Sequence, residues 1–330
     1  MQRNSPPYLT TAQRNIGFLT NKMNCWVLSD GTQGMQIQCL GLAEAMGIEP
    51  VVKYISPRFP WKFLPPRLWF APLLALGPGS DRIIPPWPDL VIGTGRQSAA
   101  PSMAIRHLSR GATFTVQIQN PRVNFKHFDL VIAPAHDRLI GDNVLTTLGS
   151  IHGITQQKLD IEADRFRNRL KPLPRPLVAV LIGGANGPYR MGPACANRLA
   201  DGLLKIVRDE GVGLAITTSR RTGAKNERLL RVALADAPAE FWDGTGENPY
   251  YAYLALADAF VVTSDSVNMA SEAGATGKPV FVFNLDGGSA KFRRFHAAMT
   301  KAGITRPFTG ALASWDHPPP DDMAALGAQV

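Results

Sequence analysis

From Met23 onward, short apolar runs alternate with longer stretches whose apolar residues recur at helical spacing. That is the pattern of parallel strands joined by crossover helices. Cys25–Ser29 reads as the first strand, followed by the turn Asp30-Gly31-Thr32-Gln33-Gly34 and a helix to about Met46, with Ile37, Leu40, Ala43 and Ala45 on one face. Val51–Ile55, Asp89–Gly93, Thr113–Ile118 and Leu130–Ala133 are further strands, with Val144–Leu148 as a short sixth and a helix over Ala99–Arg110. A polar helix, Thr155–Leu170, runs into Lys171-Pro-Leu-Pro-Arg-Pro176, where the prolines stop helix and favour an extended connector.

The pattern then restarts. Strands are expected at Leu177–Ile182, Leu214–Thr218, Glu240–Trp242, Ala259–Thr263 and Val280–Phe283. Helices are expected at Pro193–Glu210, Lys225–Ala235, Tyr250–Leu256, Ser266–Ala275 and Ala290–Lys301. The expected fold is α/β, two tandem Rossmann-like, doubly wound parallel-sheet domains facing a cleft. Its divisions are a flexible extension over 1–22, a first domain over 23–170, a second over 171–302 and a tail over 303–330 that packs back on the first domain. Residues 1–22 hold Arg3, Arg14 and Lys22 and no acid, a composition shared by transit peptides and disordered extensions, and Met23 is an alternative start.

Composition narrows the class. The 330 residues are 45% hydrophobic and 18% charged, which suits an ordinary folded chain and excludes disorder. Cys25, Cys39 and Cys195 are scattered with no CxxC, so a disulfide framework and a zinc ribbon are excluded and a reducing compartment fits. The six histidines form no HExxH, and no metal is expected. The longest uncharged apolar stretch, Leu68–Ser80, is too short to span a bilayer and is broken by Pro72 and Pro78, so a cytoplasmic location is expected. The net charge of +9 is uneven: residues 1–170 carry 18 basic and 11 acidic side chains, residues 171–330 carry 17 and 15. A basic front half suits a phosphorylated ligand, an anionic membrane or nucleic acid, although an alkaline balance also serves solubility alone.

Three strand-to-helix turns carry candidate chemistry. In the first, Gly31 and Gly34 let backbone approach a ligand, and Asp30 is either a general base or the cap of the next helix. In the second, Gly183, Gly184 and Asn186 offer amides to a phosphate, or else meet a packing need. Neither this turn nor Gly93-Thr94-Gly95 completes GxGxxG, so no dinucleotide cofactor is expected. The third is Ser264-Asp265-Ser266-Val-Asn268, with Glu272 about two turns along the helix. Its first-turn amides suit a diphosphate and Glu272 suits both hydroxyls of a ribose; the alternative is a capped core helix with a surface glutamate. Arg96, Gln119, Asn120, Arg122, Arg220 and Arg221 stand after other strands, where arginines can fork onto phosphate. Residues 54–76 interleave Arg58, Lys62 and Arg67 with Phe59, Trp61, Phe63, Trp69 and Phe70 and hold no acid. That mixture suits an anionic bilayer interface or a loop closing the first core, and no nucleic-acid motif accompanies it.

The run Ser264–Val280 resembles the nucleotide-sugar motif of GT-B glycosyltransferases and UDP-N-acetylglucosamine 2-epimerases. More closely, Trp26–Met35, Val91–Gln97, Gln119–Arg122 and Thr263–Met269 are similar to the mitochondrial fission "Elongated Mitochondria" family, over nearly all of 23–315. The resemblance implies a nucleotide-diphosphate sugar bound by Gly31, Gly34, Gly183, Gly184, Asn186, Arg220, Ser264, Asp265, Ser266, Asn268 and Glu272. Arg96, Gln119, Asn120 and Arg122 would touch acceptor or phosphate, and Asp30 would be the base. The expected activity is metal-independent glycosyl transfer to a lipid or envelope glycan, without a cofactor. A 2-epimerase ranks lower, because its acid/base set around the sugar is not evident. The third reading is a non-catalytic adaptor recruiting a dynamin-type GTPase, since fold does not fix function.

Overall fold

The computed structural model describes residues 23–320 and Leu326; the extension expected over 1–22 lies outside the described residues. In chain order the elements are β1 (Cys25–Ser29), α1 (Gln33–Ala45), β2 (Val51–Tyr54), β3 (Leu90–Thr94), α2 (Gly95–Leu108), β4 (Phe114–Ile118), β5 (Leu130–Pro134) and β6 (Val144–Thr147). There follow α3 (Gln156–Leu170), β7 (Leu177–Ile182), β8 (Tyr189–Arg190), α4 (Pro193–Glu210), β9 (Gly213–Thr218), α5 (Ala224–Ala233) and β10 (Ala239–Phe241). The chain continues with α6 (Tyr250–Leu256), β11 (Ala259–Thr263), α7 (Val267–Gly274), β12 (Val280–Phe283), β13 (Asp286–Gly287), α8 (Ala290–Lys301) and β14 (Thr305–Pro307).

The strands form two parallel six-stranded sheets, ordered β2-β1-β3-β4-β5-β6 and β10-β9-β7-β11-β12-β14, and a two-stranded antiparallel ribbon, β13-β8. The described residues fall into two compact units, one up to Val131 with Leu326, the other from Ile132 to 320. The division lies within β5, whereas the proline-rich connector Lys171–Pro176 separates the two sheets in sequence.

In the first unit an apolar cluster packs on the strands, beside buried polar strand residues Ser29, Thr115 and Gln117. Trp26, Leu28 and Val91 pack with Ile55, Ile83 and Ile105 in one buried cluster. The α1 turn needs glycine at its first bend, where Gly31 sits at φ +81°.

In the second unit the alternation of β7 sorts its side chains onto two faces. Val178, Val180 and Ile182 join Cys195, Leu199, Leu203 and Ile206 of α4. Leu177, Ala179 and Leu181 join Leu159 and Ala163 of α3, Tyr253 of α6 and Phe295 of α8. Helices thus cover both faces, which parallel strands require because neither face can meet water. Within the expected tail over 303–330, segment 303–320 extends this sheet: β14 pairs with β12, and Phe308, Leu312 and Trp315 pack on the same core. The three thiols, Cys25, Cys39 and Cys195, are free and buried. Burial pushes Cys25 up to about 12, and raises Cys39 and Cys195 as well.

Candidate functional site

Counting only the strands of the second sheet, the order is third, second, first, fourth, fifth, sixth. In such a sheet ligands bind beyond the carboxyl ends of the strands at the point where the order reverses, here between β7 and β11. The two turns leaving those ends are Gly183–Gly187 and Ser264–Ser266, both singled out by sequence.

Asp265 joins the two turns. Its carboxylate is buried at 3% exposure. Thr263 Oγ1 donates to Oδ1 at 2.7 Å and the Gly184 amide donates to Oδ2 at 3.0 Å, while Arg221 Nη1 lies 2.7 Å from Oδ2. Burial raises the Asp265 pKa above the ordinary carboxylate value, against the hydrogen bond from Thr263 and the Arg221 charge. The glycines are dictated by this packing. A Cβ on Gly183 would lie 2.3 Å from Asp265 Oδ2, and one on Gly184, at φ +143°, would lie 2.2 Å from the Arg221 carbonyl oxygen. The first four amides of the turn have intramolecular acceptors: Gly183 donates to Thr263 Oγ1, Gly184 to Asp265, Ala185 to Arg221 O and Asn186 to Tyr189 O. The Asn186 side chain donates to Asp265 O at 3.2 Å and accepts from the Tyr189 amide at 3.0 Å.

The neighbouring hydroxyls are engaged too. Ser264 Oγ accepts from the Leu285 amide at 3.0 Å, and Ser264 O lies 2.7 Å from His296 Nε2. A carbonyl can only accept, so Nε2 carries the imidazole proton. Burial lowers the His296 pKa, against its bond to Ser264 and the Asp265 charge. Ser266 caps α7, its Oγ accepting from the Met269 amide at 3.3 Å. Asn268 follows in the first turn of α7, half-buried. Arg220 is exposed.

Glu272 lies farther along α7 and is only 6% exposed. The hydroxyl of Tyr250, the first residue of α6, donates to its Oε2. Burial pushes Glu272 up to about 7, although the Tyr250 bond and the Lys158 charge favour its ionised form. Lys158 itself lies 4.0 Å from the centre of the Tyr251 ring. Lys278, just beyond α7, donates to the carbonyls of Ala255 and Ala257 at 2.7 and 2.6 Å, fixing the end of α6 against this turn. On the other side of α7, Ser271 Oγ accepts from the Ser150 amide at 2.9 Å.

The remaining candidates belong to the first unit, at the ends of β1, β3 and β4. Asp30 is half-buried and its Oδ1 accepts from the Thr32 amide at 3.0 Å, closing the turn; Thr32 is the residue that precedes α1. Gly34 is a residue of α1. Arg96 donates to the carbonyls of Lys62 and Phe63 at 2.7 and 3.2 Å, so its guanidinium braces a loop. Gln119 donates to Gln38 Oε1 at 3.1 Å, and Asn120 Oδ1 accepts from the Arg122 amide at 2.9 Å. Gln119 and Arg122 have φ of +67° and +62°, left-handed conformations that β4's exit loop imposes on two non-glycine residues.

Sequence reading did not find Tyr250 or His296 as members of the site. Each reaches it from a different helix, at a separation of 22 and 32 residues from its partner. Among the described residues, no three His, Cys, Asp or Glu side chains gather in a way that could hold a metal ion.

Comparison with known proteins places this architecture. The family described as "Mitochondrial fission ELM1" matches residues 33–330. The chain belongs to this family. The mitochondrial fission protein ELM1 of Arabidopsis thaliana is 36% identical over 270 residues, which is 74% of this chain and 63% of that protein. The chain therefore spans less than two thirds of that ELM1 relative's length. Among solved structures, the UDP-GlcNAc 2-epimerase of Methanocaldococcus jannaschii is similar with a TM-score of 0.55 at 11% identity, covering 93% of this chain and 91% of that one. The Neisseria meningitidis UDP-GlcNAc 2-epimerase, bound to UDP-GlcNAc, gives 0.51 at 12% identity, with 88% of each chain covered. At these identities the likeness establishes the GT-B fold for this member of the ELM1 family.

Proposed function

We propose that this protein binds a nucleotide-diphosphate sugar at the carboxyl ends of β7 and β11 and transfers the sugar without a metal. The observation that carries the reading is the reversal of strand order in the second sheet, flanked by the two turns Gly183–Gly187 and Ser264–Ser266 and followed by α7 with its buried Glu272. The pyrophosphate would face the start of α7 and the Arg220–Arg221 pair, and the pentose would take Glu272 as acceptor. Asp265 then acts as the tie that holds both turns in place, because its oxygens already serve Thr263, Gly184 and Arg221. The acceptor, a lipid or envelope glycan, is assigned to the first unit, with Asp30 as the candidate base. Helix dipole and guanidinium charge would stabilise the leaving diphosphate. The UDP-GlcNAc bound by the Neisseria relative in fold supports testing uridine donors first.

One observation favours a second reading. Ser264, Asp265, Ser266 and Glu272 all have partners inside the protein, as expected of a scaffold kept for recruiting another protein, such as a dynamin-type GTPase. Thermal shift with UDP-, GDP-, ADP- and CMP-sugars separates the two. We expect stabilisation by donors of one base, lost in Glu272→Ala, and analysis of the products then distinguishes transfer from hydrolysis or 2-epimerisation. Absence of any shift across the panel removes the nucleotide-sugar reading and leaves the adaptor.

A further inference from the structure

Large apolar side chains exposed to water are concentrated in one stretch of the first unit. Phe59, Phe63, Phe70 and Leu74 are 81, 71, 82 and 72% exposed, and Leu68 is exposed beside them. The segment is nonetheless ordered by its own bonds. Its ends meet where the Gly77 amide donates to Ser56 O at 2.8 Å and Pro57 bridges to Leu76. The Arg58 amide donates to Ala75 O at 3.0 Å and its guanidinium to Leu74 O, which holds Phe59 close to Leu74. Arg96 grips the Lys62 and Phe63 carbonyls from outside. Trp69 is buried, its indole donating to Leu64 O at 3.2 Å, and it packs with Ala75, Ala100, Trp61 and Leu64.

The tryptophans are thus the foot of the loop, and the phenylalanines and Leu74 are its outer face. A chain normally covers rings like these, and solvent exposure of four large apolar side chains on a braced loop marks an interaction surface. Its charge says what kind. Between Glu49 and Asp81 there is no acidic residue, while Arg58, Lys62 and Arg67 are all exposed within the loop.

We propose that the closed loop 56–77 docks on an anionic lipid bilayer, with Phe59, Phe63, Phe70 and Leu74 entering the acyl boundary and Lys62 and Arg67 at the headgroups. Neither component suffices alone. A few cations are attracted only weakly to an anionic surface, and a ring entering the acyl boundary adds the favourable burial of its apolar area. The combination gives reversible attachment that requires both negative lipid and the aromatic face. An apolar protein surface would satisfy the rings but leave the exposed cations without partners.

The test is flotation of the full-length protein with phosphatidylcholine vesicles made with or without phosphatidylserine. We expect the wild type to float with the anionic vesicles only, and less in high salt. The triple variant Phe59→Ser, Phe63→Ser, Phe70→Ser should lose at least about tenfold in partitioning, and Lys62→Ala with Arg67→Ala should lose a smaller amount. Ile140→Ser, at an exposed site elsewhere, should float like wild type. Thermal melts confirm that each variant is folded, because the substituted side chains are exposed. Equal flotation of wild type and triple variant overturns the proposal, as does wild type that stays with the aqueous phase. A concentration-dependent dimer that the triple variant abolishes, without vesicle binding, also overturns it and assigns the face to self-association. The nucleotide-sugar shift is measured on the same variants, and its presence or absence bears only on the second unit.

Discussion

Glu272 is held at a cost. A carboxyl pushed up to about 7 keeps its proton in the fold at pH values where the unfolded chain has released it. Its folded pKa lies above its unfolded one, so stability falls as pH rises from the ordinary glutamate range through 7. The penalty above that range is on the order of 3 kcal/mol. Thermal melts of wild type should therefore show a decline between pH 5 and pH 8 that Glu272→Gln largely removes, leaving the variant more stable at pH 8. The same substitution should weaken any pentose contact, and a residue that costs stability while serving binding is what a functional site predicts. Asp265 is also raised by burial, but its oxygens tie two turns together. Asp265→Ala leaves the Gly184 amide and the Thr263 hydroxyl without their buried acceptor while the half-exposed Arg221 turns to solvent, and a loss of about 1–3 kcal/mol is expected in denaturant unfolding.

At the level of elements, the paired turns after β7 and β11 behave as one unit. Gly184 sits at φ +143° against the Arg221 carbonyl, and a backbone atom cannot swing aside as a flexible side chain can. Gly184→Ala should destabilise by more than the about 1–3 kcal/mol of ordinary overpacking, because strained backbone adds to the clash. Gly31→Ala, with the space around its Cβ open but φ at +81°, should cost only the conformational term of about 1 kcal/mol; urea titrations of the two variants give the comparison. Every strand of the two sheets except β14 was legible, most clearly where a buried parallel strand is written as a continuous apolar run, as in Leu177–Ile182. β8 and β13 were not, since two residues such as Tyr189–Arg190 carry no period. β14 was missed for another reason: Thr305-Arg306-Pro307 is an edge strand, polar and proline-bearing, and its place is set by β12. Spacing put Asp265 just after β11 and Glu272 on the helix that follows, but it could not show that Arg221 and Tyr250 would occupy their oxygens, because those contacts join separate elements.

Across the whole molecule, charge and exposed apolar surface divide differently from the candidate chemistry. The basic excess and the phenylalanine loop belong to the front of the chain, and the glutamate, the glycine pair and the capped α7 belong to the back. The two proposals can therefore fail separately. The sealed thiols have a practical consequence for both. A thiol reacts as its thiolate, and burial suppresses that form at Cys25, Cys39 and Cys195. Native protein should consume almost no Ellman's reagent until it is unfolded, whereupon all three should titrate. If so, the natural sequence is already a silent background for chemical labelling. One cysteine installed at Phe70 would carry an environment-sensitive dye on the loop, and one installed at Arg220 would carry it beside the glycine turn, with no native thiol to be removed first.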